Sequence, residues 1–187
     1  MTDRTVSLAA VRFAAGDGVD AVLAAAARAV AARGYRVAGY LQHDVPDGPG
    51  CCSATYLEDI ASGGRRRITQ ALGPGSRGCR LDPQALADAT AGLLRDIGPQ
   101  TALVVLNRFG KGEAEGHGLR AVVERAVDAG LPVLTAVKEP YAEAWEAFGG
   151  GIAVTLEPDA GQVLRWCLAQ LPAVSPEAPP DAVPAVS

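Results

Sequence analysis

The chain has 187 residues, 49% of them apolar and 20% charged, which suits one globular domain with a substantial core rather than a disordered segment. A formal charge of -4 and only 5% aromatic residues exclude a surface built to neutralise nucleic-acid phosphates or to stack bases, so no nucleic-acid partner is expected. No uncharged run is long enough to span a bilayer, so no membrane partner is expected either.

The opening Met1-Thr2-Asp3-Arg4-Thr5 carries no signal-peptide pattern, which points to the cytoplasm. There the 4 cysteines, at 51, 52, 79 and 167, are expected to be reduced. Cys51 and Cys52 are adjacent and form no metal-finger spacing.

Residues 5–13, "TVSLAAVRF", read as a strand. "AAGDG" leads into an Ala-rich helix over 18–33, closed by Gly34, a suitable residue just past a helix end. "YRVAGYLQ" (35–42) is a second strand, followed by a polar loop expected to carry His43, Asp44 and the cysteine pair. "ATYLEDIAS" and "RRRITQALG" flank Gly63-Gly64 and predict a two-stranded hairpin. Arg65, Arg66 and Arg67 make a charge run on it, either solvated or rimming an anion pocket.

After "GPGSRGCR", Asp82 and Pro83 predict a capped helix start. Leu86, Ala89, Leu93, Leu94 and Ile97 stripe that helix to Gly98-Pro99. "TALVVLN" (101–107) is a strand, and Leu119, Val122, Val123, Ala126 and Val127 mark the next helix, closed by Gly130. "PVLTAV" is a strand, "EPYAEAWEAF" a short helix and "GIAVTLE" a last strand, and Asp159 caps a helix running through Leu171. Strands apolar throughout and alternating with helices predict an α/β fold. It has three layers, a mainly parallel sheet covered by helices on both faces, with the antiparallel hairpin added. Residues 1–171 read as one domain, and 172–187, rich in Pro and Ala, as a disordered tail.

In such sheets ligands bind beyond the carboxyl ends of the strands. A phosphate loop would read GxxxxGK[ST]. With Gly18 as its late glycine, the first-glycine position holds Phe13, the lysine position Val19 and the hydroxyl position Asp20. The alternative is a plain strand-to-helix turn capped by Asp17 or Asp20.

At the end of 101–107 stand Asn107, Arg108, Gly110 and Lys111, followed by Glu113 and Glu115. Arg108 offers a planar fork for oxyanions and Lys111 a point charge. Pairing of both with Glu113 and Glu115 is the competing reading. In 72–82, Gly75, Ser76, Arg77, Gly78 and Arg80 offer backbone N–H groups, a hydroxyl and charge for an anion nest. Cys79 between two arginines suits a lowered pKa, as a thiolate or soft-metal ligand, or else packs as a small buried side chain. His43 and His117 are the two histidines that would join it, and surface positions suit them equally.

These motifs carry a resemblance. "GYRVAGYL", "NRFGKGEAEG" and "GLRAVVERAVDAGLPVLTAV" are similar to the small nucleoside-triphosphatase family of thermophiles. More closely, 5–171 resembles a bacterial family of unknown function related to that hydrolase, whose members carry "LGPGSRGCRLD" and "NRFGKxEAEGxG" and whose genes often lie near molybdate-transport genes. The resemblance implies a degenerate P-loop-like fold. The hydrolase's metal-binding Asp falls on Asn107 and its Glu on Arg108, while Gly110 and Glu113 match. An amide does not replace a carboxylate on Mg²⁺, so magnesium is not an expected cofactor and hydrolysis is not an expected activity.

The leading expectation is therefore a small anionic ligand, a nucleotide phosphate or an oxyanion such as molybdate. It would be held by Asn107, Arg108, Gly110 and Lys111 together with 75–80. Two alternatives stand beside it: a triphosphatase with a rearranged site and Glu113 as base, and an interaction or regulatory module that binds a second copy or another protein.

Overall fold

A computed structural model of the chain describes residues 8–46, 53–70 and 81–172. Cys51, Cys52, the segment carrying Gly75, Ser76, Arg77, Gly78, Cys79 and Arg80, and the tail from 173 onward lie outside the described residues.

The elements in chain order are β1 (Leu8–Phe13), α1 (Val19–Ala31), β2 (Arg36–Val45), β3 (Ala54–Asp59), β4 (Arg65–Arg67) and α2 (Pro83–Asp96). There follow β5 (Thr101–Leu106), α3 (Lys111–Ala114), α4 (Arg120–Asp128) and β6 (Val133–Lys138). A 3₁₀ turn (Glu139–Tyr141), α5 (Ala142–Gly149), β7 (Ala153–Leu156) and α6 (Ala160–Gln170) complete the fold. One seven-stranded sheet runs β4-β3-β2-β5-β6-β1-β7. β2, β5, β6, β1 and β7 are parallel neighbours, and β3 and β4 add antiparallel to β2.

The strands are apolar on both faces because both faces are covered. In β1, Leu8 and Ala10 enter one core layer and Ala9, Val11 and Phe13 the other; in β5, Val104 and Leu106 oppose Leu103 and Val105. One layer packs under α2, α4 and α5 through Leu93, Val122 and Trp145. The other packs under α1 and α6 through Leu23, Val30, Val163 and Cys167. Each fully buried side chain of this kind contributes about 1.5–3 kcal/mol. This is the three-layer architecture expected, hairpin included.

Asp82 caps α2 as expected, accepting from the N–H groups of Gln84 and Ala85 at 3.0 and 3.1 Å. Asp159 caps α6 by accepting from Gln162 N at 2.6 Å. One local expectation fails. His43 and Asp44 lie in β2, not in a loop, and pair with Tyr56 and Thr55 of β3. Beyond Leu41, which is still buried, β2 pairs only with β3, and Gln42, His43 and Asp44 turn polar without the strand ending. His43 Nε2 lies 3.0 Å from Glu58 Oε2, and Arg65 Nη2 2.8 Å from the same oxygen. The arginine run is thus β4 itself, with Arg66 paired to Asp88 at 3.5 Å. The glycine-rich stretch after β5 contains α3, a one-turn helix.

No helix among the described residues is long and apolar enough to cross a membrane. Cys167 is wholly buried on α6, and burial pushes its thiol up to about 12. Iodoacetamide at pH 8 is therefore expected to leave Cys167 unmodified in the native protein and to label it in denaturant. Peptide mass mapping reads this, and native labelling would show that α6 opens easily.

Candidate functional site

Because β1 lies beside β6, and β6 beside β5, the carboxyl ends of these three strands deliver Phe13, Lys138 and Asn107-Arg108 to one edge. Phe13 is in register with Lys138. Phe109 prolongs β5 past Asn107 by donating to Ala136 O at 2.8 Å, which holds Arg108 beside β6. The turn from Ala14 to Gly18 closes on itself, with Asp17 Oδ2 accepting from Ala14 N at 2.6 Å. Gly18 begins α1 in the left-handed region at φ 62° with no side-chain cap. Asp17 therefore braces the turn rather than capping the helix, and Asp20 does not cap it either.

Asp20 does something the sequence did not reveal. Arg108 Nη2 donates to both its oxygens at 3.0 Å, and Asn107 Nδ2 donates to Oδ1 at 3.1 Å. The side chain at the hydroxyl position of a phosphate loop is thus bonded to the two at the metal-carboxylate positions. The pair is partly exposed, 28% for Arg108 and 43% for Asp20, so its worth is nearer the ~0–1 kcal/mol of surface pairs than that of a buried one. Asn107 is 2% exposed, and its Oδ1, like Arg108 Nε, has no hydrogen-bond partner among the described residues.

Both cations rest on one aromatic ring. The Arg108 guanidinium carbon lies 4.9 Å, and Lys138 Nζ 5.7 Å, from the centre of Phe13. Together with residues 14–18 and Asp20 they line a cleft of about 200 Å³. A wider cleft on the other side of Phe13 and Asp17 is lined by Arg12, Glu139 and Glu157. There Arg12 Nε donates to Glu139 Oε2 at 2.6 Å, and this hydrogen bond holds the Glu139 carboxyl below the usual glutamate value.

Of the expected site residues, Asn107 and Arg108 meet at this edge. Lys111 does not line the cleft: it is 72% exposed and sits 3.8 Å from Glu115, one helical turn on. Gly110 precedes α3 in an extended conformation. Glu113 accepts from Gly110 N at 3.0 Å and from Leu119 N at 2.9 Å, so both carboxylate oxygens tie backbone ends together. Gly75, Ser76, Arg77, Gly78 and Arg80, with Cys79, lie outside the described residues. The flanks of their segment join at Thr69 and Leu81, beside Thr55, which pairs with Asp44 at the carboxyl end of β2.

Sequence reasoning missed Lys138, although it follows an apolar strand as directly as Asn107 follows β5. Among the described residues no cluster of three or more His, Cys, Asp or Glu side chains is placed to hold a metal ion.

Three comparisons bear on this arrangement. The family model described as "Protein of unknown function (DUF2478)" matches residues 8–166. Molybdenum import ATP-binding protein ModC 2 of Bradyrhizobium diazoefficiens is 38% identical over 159 residues, covering 85% of this chain but only 18% of that protein's length. The solution structure of a human cancer-related nucleoside triphosphatase matches with a TM-score of 0.62 at 19% identity, covering 87% of this chain and 93% of that one. At that identity the likeness concerns the fold alone, a P-loop-NTPase-like architecture with extra strands.

Proposed function

The chain belongs to the family described as "Protein of unknown function (DUF2478)", and we propose that it is a non-hydrolytic anion-binding protein on a degenerate triphosphatase-like fold. The ligand class is a nucleotide phosphate or an oxyanion such as molybdate, bound at the cleft formed by residues 14–18, Arg108 and Lys138.

One observation carries this reading: the bonding of Asp20 to Arg108 and Asn107. Phosphoryl transfer needs a lysine and hydroxyl on the loop and a carboxylate that holds magnesium. Here Val19, Asp20 and Asn107 stand in those places, and Asp20 is engaged by Arg108. What remains is a glycine-containing turn at a helix N-terminus with two cations beside it, a setting for an anion without chemistry. The name of the Bradyrhizobium relative supports molybdenum metabolism as the setting. The triphosphatase alternative is disfavoured because its proposed base, Glu113, ties two backbone N–H groups together and is not among the residues that line the cleft.

A second reading, a regulatory or interaction module, is favoured by one fact: the matching stretch is 18% of a longer import ATP-binding protein. The two readings are compatible, since an anion-binding domain beside an ATPase is a natural sensor.

The test is calorimetric titration of the purified chain with phosphate, molybdate, tungstate, ATP and GTP, with and without magnesium. Anion binding independent of magnesium is expected, with phosphate release from ATP at background. Arg108→Ala is expected to weaken anion binding by about 1.5–3 kcal/mol, whereas Lys111→Ala, contrary to the expectation from sequence, leaves it nearly unchanged. Turnover of about 1 s⁻¹ or faster that Glu113→Gln abolishes without loss of folding would overturn the proposal.

A further inference from the structure

The cleft presents carboxylates as well as cations, and that mixture decides which anion it accepts. Asp20 takes three hydrogen bonds, two on Oδ1 and one on Oδ2. A carboxylate offers about four lone-pair sites, so Oδ2 keeps acceptor capacity, and the side chain is 43% exposed. Asp17, whose Oδ2 accepts from Ala14 N, lines the same cleft. Facing these acceptors are two donors. Arg108 spends one nitrogen, Nη2, on both Asp20 oxygens, and its guanidinium lines the cleft. Lys138 shares the Phe13 ring with it.

A ligand here therefore meets donors and acceptors together. A fully deprotonated tetrahedral dianion such as sulfate or molybdate has acceptor oxygens only, and two of the groups lining the cleft repel it. Hydrogenphosphate keeps an O–H that donates to a carboxylate while its other oxygens accept from Arg108 and Lys138. Such O–H···O⁻ bonds are among the strong ones. Size points the same way: about 200 Å³ lies below the ~300–1,000 Å³ of pockets that enclose whole organic ligands, so the anionic group itself fills the cleft.

We infer that the cleft selects a hydrogen-bearing oxyanion, free inorganic phosphate, over fully deprotonated tetrahedral dianions, with Asp20 and Asp17 as the discriminating acceptors. This rests on the anion-binding reading above and replaces molybdate with phosphate as the ligand chemistry.

The full chain is titrated at pH 7 with inorganic phosphate, AMP, sulfate and molybdate, without magnesium. Phosphate is expected to bind at least about tenfold more tightly than sulfate or molybdate, the difference one charge-assisted hydrogen bond supplies. AMP, whose phosphate has a second pKa of about 6 and is mostly deprotonated at pH 7, is expected to bind more weakly than inorganic phosphate, and AMP matching it overturns the inference. Asp20→Asn, whose amide donates as well as accepts, is expected to bring the anions to within about threefold of one another. Asp17→Asn is expected to narrow the gap in the same direction, and it tests the selection independently if Asp20→Asn does not fold. Sulfate or molybdate binding as tightly as phosphate overturns the inference and leaves the anion-binding reading standing. So does a preference for phosphate that neither substitution changes. No binding of any of the four probes removes both.

Discussion

Gly39→Ala is expected to lower stability by about 4 kcal/mol, combining overpacking and backbone-strain terms of ~1–3 kcal/mol each. In β2, Gly39 has φ 140°, and a Cβ there would stand 1.8 Å from Val105 O and 2.7 Å from Val105 C of β5. Those are main-chain atoms in mid-sheet, so relief requires β2 and β5 to separate where they pair Gly39 with Val105. At roughly 2–4 °C per kcal/mol for a domain of this size, the midpoint should fall by about 8–16 °C in a thermal melt. Gly92→Ala is the control. It lies inside α2 with its nearest neighbour, Tyr40 Oη, at an ordinary 3.5 Å, so it should gain about 0.5–1 kcal/mol. Equal losses at both positions would mean that the close approach of β2 to β5 is not what the glycine serves.

Glu113→Ala is the second large effect, expected at about 3 kcal/mol, since it removes two hydrogen bonds to a charged acceptor, each worth ~1.5–3 kcal/mol before partial exposure is discounted. One carboxylate joins the start of α3, through Gly110 N, to the start of α4, through Leu119 N. Gly118 makes room for it: φ is 63°, and a Cβ would lie 2.3 Å from Glu113 Oε1. Glu113→Gln keeps one acceptor oxygen and should lose about half as much. Chemical denaturation of both variants, read beside their anion affinities, separates scaffold from site. A stable Glu113→Ala protein with its ligand binding abolished would place Glu113 in the cleft instead.

Much of the fold was legible because its signals are local. Asp82 and Asp159 precede apolar helical stripes and cap them. The runs 102–106 and 133–137 are apolar on both faces, Thr135 aside, because helices cover both faces. His43 and Asp44 misled because a strand that outruns its covering layer has the polarity of a loop. At the site, the exchange of an acidic motif for Asn107 and Arg108 could be read directly, but their partner could not. Asp20 and Arg108 are 88 positions apart. They meet only because the order β5-β6-β1 brings their strands to one edge, and no spacing rule encodes that order. Lys138 was overlooked for the same reason: its relevance comes from standing in register with Phe13.

The place of β1 between β6 and β7 has a consequence for how the molecule comes into being. Leu8 finds its neighbours at Val133 and Ala153, so both flanks of the first strand are made from the last third of the chain. Contacts so distant demand large loops before any pairing rewards them, which slows folding. During synthesis β1 leaves the ribosome with two bare edges and an apolar sequence, and it stays exposed to chaperones and to other nascent strands until β7 arrives. The cleft at its carboxyl end therefore waits for β6, and a translation product truncated before β6 would display the loop of residues 14–18 without Lys138 to complete it.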